Sequence, residues 1–348
     1  MCVQADQVDR YIQSEMKKFK IPGLTLAIVK NGKIIKINSY GVANIELNAP
    51  TKNSTVYQVG SIGKQFTATL IMMLVAEEKI SLDDKISKYL QNAPAYWDKV
   101  TIRNLLTHTS GIKNDEFILE GEKYNPTRWY VDPQLSYTDD ELIKLAGASP
   151  LEFQPGEKWN YSNTGYILLG IIAKKVTGKS RGDLTQELIF EPLKMNTAGT
   201  INRSKIIPNR ASGYLLKNGV LINSKYVSPS LSITADGGLY MTALDLAKWD
   251  AALYTDQPLK QVNLNIMWTP VKLNNGKTQN YGFGWIVDNI NGHRVIEHGG
   301  EFQGFSSYIT RYPDDKFTVI ILTNLHFIAK AALGPMTHHI ADMYKIDR

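Results

Sequence analysis

Strand-length apolar segments joined by tight turns occur near both ends of the chain, and they constrain the fold more than any other feature. Near the beginning, two such segments flank Asn31 and Gly32, a pair that supplies the positive φ angles of a type I′ hairpin turn. Two further hairpin patterns follow near the end. The predicted strands are 24–30, 33–39, 284–288, 294–298, 305–312 and 317–323. Because each hairpin needs a partner, we expect one antiparallel sheet formed from both chain ends.

The remaining segments favour helices around this sheet. Apolar residues at helical spacing predict one helix before the first strand and another over 329–344. The middle of the chain is mostly helical by the same criterion, with predicted helices at 65–78, 101–106, 138–146, 164–176 and 181–189. We therefore predict a mixed α/β fold of the α+β type, with the antiparallel sheet flanked by helices.

We expect a single domain over residues 1–348 with two lobes. An α/β lobe of about 1–60 plus 200–348 would carry the sheet, and a mostly helical lobe of about 61–199 would be inserted into it. An active site would then lie in the seam between the lobes.

The composition excludes several classes of protein. With 43% hydrophobic and 21% charged residues, the chain is neither disordered nor fibrous. Its single cysteine, Cys2, excludes an intrachain disulfide and every cysteine-rich metal site. His338 and His339 are adjacent on a predicted helix and would point about 100° apart, so we predict surface histidines and no metal site. No cofactor is predicted either.

The net charge of +6 raises the question of nucleic-acid binding. The basic residues are scattered among acidic ones, with no run of five, so no nucleic-acid partner is expected. The tripeptide at 178–180 resembles the end of a phosphate-binding loop, but Ala173 stands where that pattern requires glycine.

The apolar segments bear on membrane association. The longest, 70–76 and 166–173, are far shorter than the roughly 20 residues of a transmembrane helix. Residues 1–20 contain no apolar region of a secretory signal. Met1 followed by Cys2 resembles a mature bacterial lipoprotein start preceded by an initiator methionine, which predicts a lipid anchor at Cys2 and a periplasmic or extracellular location. An incidental free thiol is the alternative.

A serine three residues before a lysine places both on one face of a helix, but the pattern occurs at Ser14, Ser61 and Ser110. Ser14 lies on the polar side of the first helix, and Ser110 lies in the turn THTSG. Ser61 follows Gly60 and precedes a segment that is apolar nearly all round, which is typical of a buried helix. Packing would hold Lys64 beside Ser61 at a helix N-terminus that favours negative charge. The alternative is an N-cap serine with a lysine that reaches solvent.

Two further motifs each occur once. Tyr161 and Asn163 lie in PGEKWNYSNTGY, in a loop before an apolar helix; a packed tyrosine beside a helix cap is the alternative. His298, Gly299 and Gly300 end a predicted strand, where paired glycines allow a ligand to approach the backbone. The alternative there is a bulge or a loose turn.

Together the three motifs indicate acyl transfer. A serine hydroxyl needs a base within hydrogen-bond reach and donors for the oxyanion that forms. A phenol is a weak base near neutral pH unless a nearby cation stabilises its phenolate. Lys64 would supply that cation for Tyr161, and a protonated His298 would supply a second.

The sequence resembles the serine β-lactamase and penicillin-binding protein superfamily, and within it the class C β-lactamase-related group. The resemblance covers nearly the whole chain, through IPGLTLAIVKNGKIIKINSYG, SIGKQFTATLIMMLV, TIRNLLTHTSGI, PGEKWNYSNTGYILLG, ADGGLYMTALDLAKW, YGFGW and HGGEFQGFSSYITRYPDD. It implies a β-lactamase/transpeptidase-like fold and the activities of DD-peptidases, D-aminopeptidases and carboxylesterases.

The resemblance also implies roles for the site residues. Ser61 would be the acylated nucleophile, and Lys64 the group that moves its proton or holds it poised. Tyr161 would be the general base and the acid for the leaving group; whether lysine or tyrosine is the base stays open. Asn163 would bind the substrate acyl side or Lys64. Substrate would also bind at His298, Gly299 and Gly300, and the backbone N–H groups of Ser61 and Glu301 would form the oxyanion hole.

The third motif departs from the β-lactamase pattern. Those enzymes show Lys-Thr-Gly where this chain has His298, Gly299 and Gly300, and a neutral imidazole without a hydroxyl is a weaker carboxylate site. We expect hydrolysis of small esters or D-amino-acid-containing peptides, with weak or no β-lactamase activity. The alternatives are a penicillin-binding sensor or scaffold that acylates without turnover, and a true class C-like β-lactamase.

Overall fold

A seven-stranded antiparallel sheet formed from both ends of the chain lies at the centre of the fold. The computed structural model describes residues 6–117, 129–132, 134–202, 204–224 and 227–344. Its strands are β1 (Gly23–Lys30), β2 (Lys33–Asn44), β3 (Ala49–Pro50), β4 (Tyr57–Gln58), β5 (Asp115–Phe117), β6 (Trp129–Val131), β7 (Gly199–Thr200), β8 (Tyr214–Lys217), β9 (Val220–Asn223), β10 (Leu239–Met241), β11 (Val271–Lys272), β12 (Thr278–Gln279), β13 (Ile286–Ile290), β14 (His293–Phe302), β15 (Phe305–Tyr312) and β16 (Phe317–Thr323). The sheet order is β13-β14-β15-β16-β1-β2-β3.

The three predicted hairpins are confirmed, with one correction. Asn31 and Gly32 both have positive φ, as the turn between β1 and β2 requires. The pairing of β16 with β1 joins the two chain ends, as expected. The prediction that a strand ends at the paired glycines is wrong, because β14 runs on to Phe302, and Gly299 and Gly300 pair with β15.

Helices cover both faces of the sheet. They are α1 (Gln7–Phe19), α2 (Gly63–Ala76), α3 (Ile102–Leu106), α4 (Asp139–Ala146), α5 (Asn163–Thr177), α6 (Arg181–Thr185), α7 (Pro229–Ser232), α8 (Ala243–Ala252), α9 (Gln261–Met267) and α10 (Gly334–Met343). A π-helical segment at Gln186–Phe190 extends α6, and another at Ala329–Leu333 precedes α10. The sequence predicts a single α-helix at each of these two places. None of the helices within the described residues is long and apolar enough to span a bilayer.

Alternation along β1 divides the core into two layers. Leu24, Leu26 and Ile28 pack with the terminal helices α1 and α10, whereas Ala27 and Val29 face the layer that contains α2, α5 and α8. The expected covering of one face by the terminal helices is therefore confirmed. The exact division into two lobes stays a prediction.

Helix α2 is buried on nearly all sides, as its composition predicts. Its packed residues include Phe66, Leu70 and Ile71, and even Lys64 has no exposed surface. A helix enclosed in this way fixes the direction of each side chain along it, so the first turn of α2 gives Lys64 one defined position.

A buried ion pair joins α8 to strand β15 of the sheet. Arg311 on β15 donates from Nε to Asp250 Oδ1 at 2.6 Å, and the Thr318 hydroxyl donates to the same oxygen at 2.8 Å. Both charged side chains are almost completely buried. The guanidinium carbon lies 4.8 Å from the ring centroid of Tyr254 and 5.2 Å from that of Trp268, within the range of cation–π attraction.

We expect Asp250→Ala to lower the free energy of unfolding by about 3–5 kcal/mol, because it leaves a buried guanidinium without its counter-ion. Urea denaturation measures this change. Glu77→Ala, which removes an exposed pair with Lys79, is the matched control and should cost at most about 1 kcal/mol. Similar small losses in both variants would contradict the structural role of Asp250.

Candidate active site

Ser61 and Lys64 lie where a 3₁₀ turn, Gly60–Ile62, leads into α2. Lys64 Nζ is 3.1 Å from Ser61 Oγ, 2.8 Å from Asn163 Oδ1 and 2.9 Å from the backbone oxygen of Asp236. An ammonium carries three N–H donors, and each has an acceptor here. Lys64 thus connects Ser61 with the segments PGEKWNYSNTGY and ADGGLYMTALDLAKW. Ser14 is exposed, and Ser110 is buried in its turn, where its hydroxyl accepts from the Ile112 N–H.

Tyr161 lies on the other side of Lys64. The half-buried phenol ring has its centroid 4.9 Å from Lys64 Nζ and 6.1 Å from the centroid of the His298 ring. Among the described residues its hydroxyl has no hydrogen-bond partner. The group hydrogen-bonded to Ser61 is therefore Lys64, and Tyr161 contacts the pair through the ammonium.

His108 holds the backbone on both sides of Tyr161. The Asn160 N–H donates to the His108 backbone oxygen at 3.0 Å, and the Ser162 N–H donates to His108 Nδ1 at 3.1 Å. The imidazole also packs against the Tyr161 ring, with centroids 4.3 Å apart. Burial and the charge of Lys64 lower the pKa of His108 well below its usual value. His108 is thus a neutral clamp that fixes the Tyr161 ring.

Asn163 begins α5, which Ser162 caps by accepting from the Gly165 N–H. The Asn163 N–H donates to Asn114 Oδ1 at 2.6 Å, and its side-chain oxygen accepts from Lys64. Of the two contacts the resemblance implies for Asn163, the structure therefore contains the one with Lys64.

Strand β14 lies directly against the Ser61 turn. A Cβ added to Gly300 would come within 1.9 Å of the Val59 oxygen and 2.9 Å of the Ser61 nitrogen. A Cβ on Gly60, whose φ is +51°, would lie 2.5 Å from the Glu301 nitrogen. Glycine at both positions permits this approach, which brings the backbone nitrogens of Ser61 and Glu301 to one junction.

The side chain of Glu301 has a separate contact. Its Oε1 accepts from the Ala329 N–H at 2.8 Å, and burial raises the pKa of its carboxyl. The carboxylate therefore secures the segment after β16, and the predicted oxyanion contribution of Glu301 concerns only its backbone.

His298 is neutral in the folded protein. Its Nδ1 lies 2.5 Å from the Gly299 oxygen, and because a carbonyl can only accept, Nδ1 carries the proton. Nε2 therefore accepts from the Tyr281 hydroxyl at 3.0 Å. Burial and the nearby Lys64 lower the pKa of His298 to about 4. The hypothesis that a protonated His298 supplies a second cation beside Tyr161 is wrong.

Three contributors to the site were not predicted from the sequence. His108 and Tyr281 lie within TIRNLLTHTSGI and YGFGW, two of the segments that carry the resemblance to the superfamily, and that resemblance is the signal that could have found them. Asp236 contributes a backbone oxygen to Lys64, which no side-chain pattern reveals. Among the described residues, no group of three His, Cys, Asp or Glu side chains could hold a metal ion.

His338 and His339 have separate environments on α10. His338 Nε2 is 2.7 Å from Glu297 Oε2, and the His339 ring packs against Tyr11. The expectation that both are simple surface histidines is wrong for His338, which is partly buried.

The antiparallel sheet flanked by helices is that of penicillin-binding proteins and β-lactamases, and Ser61, Lys64 and Tyr161 lie close together within it. Residues 8–335 match the family model described as Beta-lactamase. The chain therefore belongs to the Beta-lactamase family. Its relatives include penicillin-binding proteins and a D-stereospecific amidohydrolase.

Particular relatives agree with this assignment. Penicillin-binding protein 4* of Bacillus subtilis is 31% identical over 326 residues, which cover 88% of this chain and 69% of that protein. An octameric penicillin-binding protein homologue from Pyrococcus abyssi superposes with a TM-score of 0.80 and 30% identity, covering 96% of this chain and 77% of the other. A D-stereospecific amidohydrolase from Streptomyces sp. superposes with a TM-score of 0.70 and 28% sequence identity, covering 87% of this chain and 89% of the other. The chain spans 63% to 69% of the length of the curated relatives it matches.

Replacing His108 tests its role as the clamp on Tyr161. We expect His108→Ala to lower kcat for a chromogenic ester by roughly tenfold to hundredfold with little change in KM, because a displaced Tyr161 weakens the chemical step. His108→Asn should retain more activity, since asparagine tolerates the positive φ of residue 108 and offers an oxygen to the Ser162 N–H. Equal kcat losses in the two variants would contradict this role.

The neutral His298 predicts a pH-dependent stability. A free imidazole has a pKa of about 6.5, so between pH 6.5 and 4 the unfolded chain binds more protons than the folded one, and stability falls as the pH is lowered. His298 should account for a loss of about 2 kcal/mol between pH 7 and 5. Urea unfolding at both pH values should show a smaller loss for His298→Asn, and an unchanged loss would count against the buried neutral ring.

Proposed function

We propose that this protein is a serine hydrolase that forms an acyl-enzyme on Ser61 and releases it to water, acting on small carboxylic esters or D-amino-acid-containing peptides. The observation that carries the proposal is the 3.1 Å contact between Lys64 Nζ and Ser61 Oγ, made by a fully buried ammonium whose other donors are also paired. An ammonium that donates to Oγ stabilises the negative charge that develops there during attack.

The surroundings of Lys64 support Tyr161 as the base. The backbone oxygen of Asp236 can only accept, and Asn163 Oδ1 accepts as well. These two acceptors take two N–H groups of Lys64. We propose that Lys64 acts as an ammonium that donates its third N–H to Ser61 Oγ, and an ammonium has no lone pair with which to take the Ser61 proton. Tyr161, whose ring lies against that ammonium, is the remaining candidate.

The reaction then proceeds in two halves. Ser61 Oγ attacks the carbonyl carbon as its proton passes to Tyr161, and the backbone N–H groups of Ser61 and Glu301 receive the oxyanion. Tyr161 returns the proton to the leaving group, which departs. Water then attacks the acyl carbon as Tyr161 takes one of its protons. The bond from that carbon to Ser61 Oγ breaks, Tyr161 gives the proton to Ser61 Oγ, and the carboxylic acid product departs. No step requires a cofactor.

The relatives and the third motif support the substrate class. One structural neighbour is a D-stereospecific amidohydrolase, which favours D-amino-acid-containing substrates for this chain. The third motif has neither the lysine nor the threonine of β-lactamases, and His298 is neutral. We therefore propose weak or no β-lactamase activity.

Location and anchoring are also proposals. A lipid anchor at Cys2 and a periplasmic or extracellular location stay predictions. Cys2 lies outside the described residues.

We expect wild-type enzyme to release p-nitrophenol from an acetate or butyrate ester with linear steady-state turnover that Ser61→Ala abolishes. Nitrocefin should be hydrolysed with a lower specificity constant than the ester, because the third motif has no cation for its carboxylate. A single stoichiometric burst would indicate a sensor that acylates without turnover. A higher specificity constant for nitrocefin would indicate a true β-lactamase.

A further inference from the structure

Both ring nitrogens of His298 are already used within the protein. Nδ1 donates to the Gly299 oxygen at 2.5 Å, and Nε2 accepts from the Tyr281 hydroxyl at 3.0 Å. A neutral imidazole has one donor and one acceptor, so these two contacts use its full hydrogen-bonding capacity. The side chain that opens the third motif therefore has no N–H to offer to a ligand.

Tyr281 is held rigidly in this position. It is buried, and its ring packs against His108, Trp159 and Tyr161 with centroid distances of 4.6, 5.8 and 6.2 Å. Its backbone oxygen accepts from the Val271 N–H at 2.9 Å. A ring enclosed on several sides keeps its hydroxyl in one place, so the contact with His298 is a built feature of the site.

Lys64 is equally occupied. Its three N–H groups are donated to Ser61, Asn163 and Asp236. The two basic side chains of the catalytic motifs therefore have their donors committed before a substrate arrives. A carboxylate that enters beside them loses its hydration without gaining a charged partner from either residue.

We propose that Tyr281 is a specificity-determining residue: by donating its hydroxyl to Nε2 of His298 it keeps that nitrogen an acceptor, so no N–H of His298 is left to bind a carboxylate and the site selects substrates with an uncharged leaving group. The inference rests on the proposed function and names the substrate class within it. Tyr281 acts through His298 and is a positioning residue.

A matched pair of esters tests the preference directly. The acetate ester of 3-hydroxybenzamide and that of 3-hydroxybenzoate share one scissile bond and differ in the charge of the leaving group. The kcat/KM of the wild type for each ester is divided by the rate of hydroxide-catalysed hydrolysis of that ester, which corrects for intrinsic reactivity. We expect this corrected kcat/KM to be about tenfold higher for the amide ester, mainly because its KM is lower. A ratio near one, or one that favours the carboxylate, overturns the inference.

Two variants test the assigned residues. Tyr281→Phe keeps the packed ring and releases Nε2, which can then take up a proton when a carboxylate binds, so the preference for the amide ester should fall about threefold or more. His298→Lys places an ammonium at the same point and should reverse the preference. Equal losses for both esters in both variants would mean that these residues only support the fold, which overturns the inference.

The Ser61→Ala variant distinguishes a failure of this inference from a failure of the proposed function. Turnover that depends on Ser61 but shows no preference between the esters overturns this inference alone. Turnover that survives in Ser61→Ala overturns the proposed function and this inference with it.

Discussion

The site depends on the three hydrogen bonds of the Lys64 ammonium group. This group joins Ser61 at the head of α2, Asn163 at the head of α5 and the backbone of Asp236, three segments far apart in the sequence. Burying an ammonium costs several kcal/mol unless its donors are all paired. The three acceptors meet this condition, so the geometry of the proposed active site and the stability of the helical layer depend on the same contacts.

The rest of the fold holds this group in place. Helix α2 is enclosed by the layer that lies against the sheet, and the ion pair between Arg311 and Asp250 joins α8 to β15 on that side. Strand β14 reaches the Ser61 turn only because Gly60 and Gly300 have no side chains. The backbone nitrogens proposed for the oxyanion hole therefore come from two elements pressed together at a pair of glycines.

Much of this arrangement follows from local sequence patterns. The Asn-Gly turn and the apolar alternation specify the hairpins. The all-round apolar surface of α2 predicts its burial, and this predicted burial distinguishes Ser61, as the candidate nucleophile, from Ser14 and Ser110. The extension of β14 through Gly300 was not predictable, because glycine weakens the strand pattern and only pairing with β15 maintains it. The neutral state of His298 and the clamp from His108 depend on burial and on partners such as Tyr281, which periodicity cannot reveal.

The central claim is that Lys64 makes Ser61 the nucleophile, and the rate of phosphonylation by a fluorophosphonate measures this most directly. In that reaction Ser61 Oγ would displace fluoride without any need for deacylation, and mass spectrometry of peptides identifies the modified residue. We expect modification at Ser61 and a rate lower by about a hundredfold in Lys64→Met. Modification at another residue, or the same rate in both proteins, would contradict it.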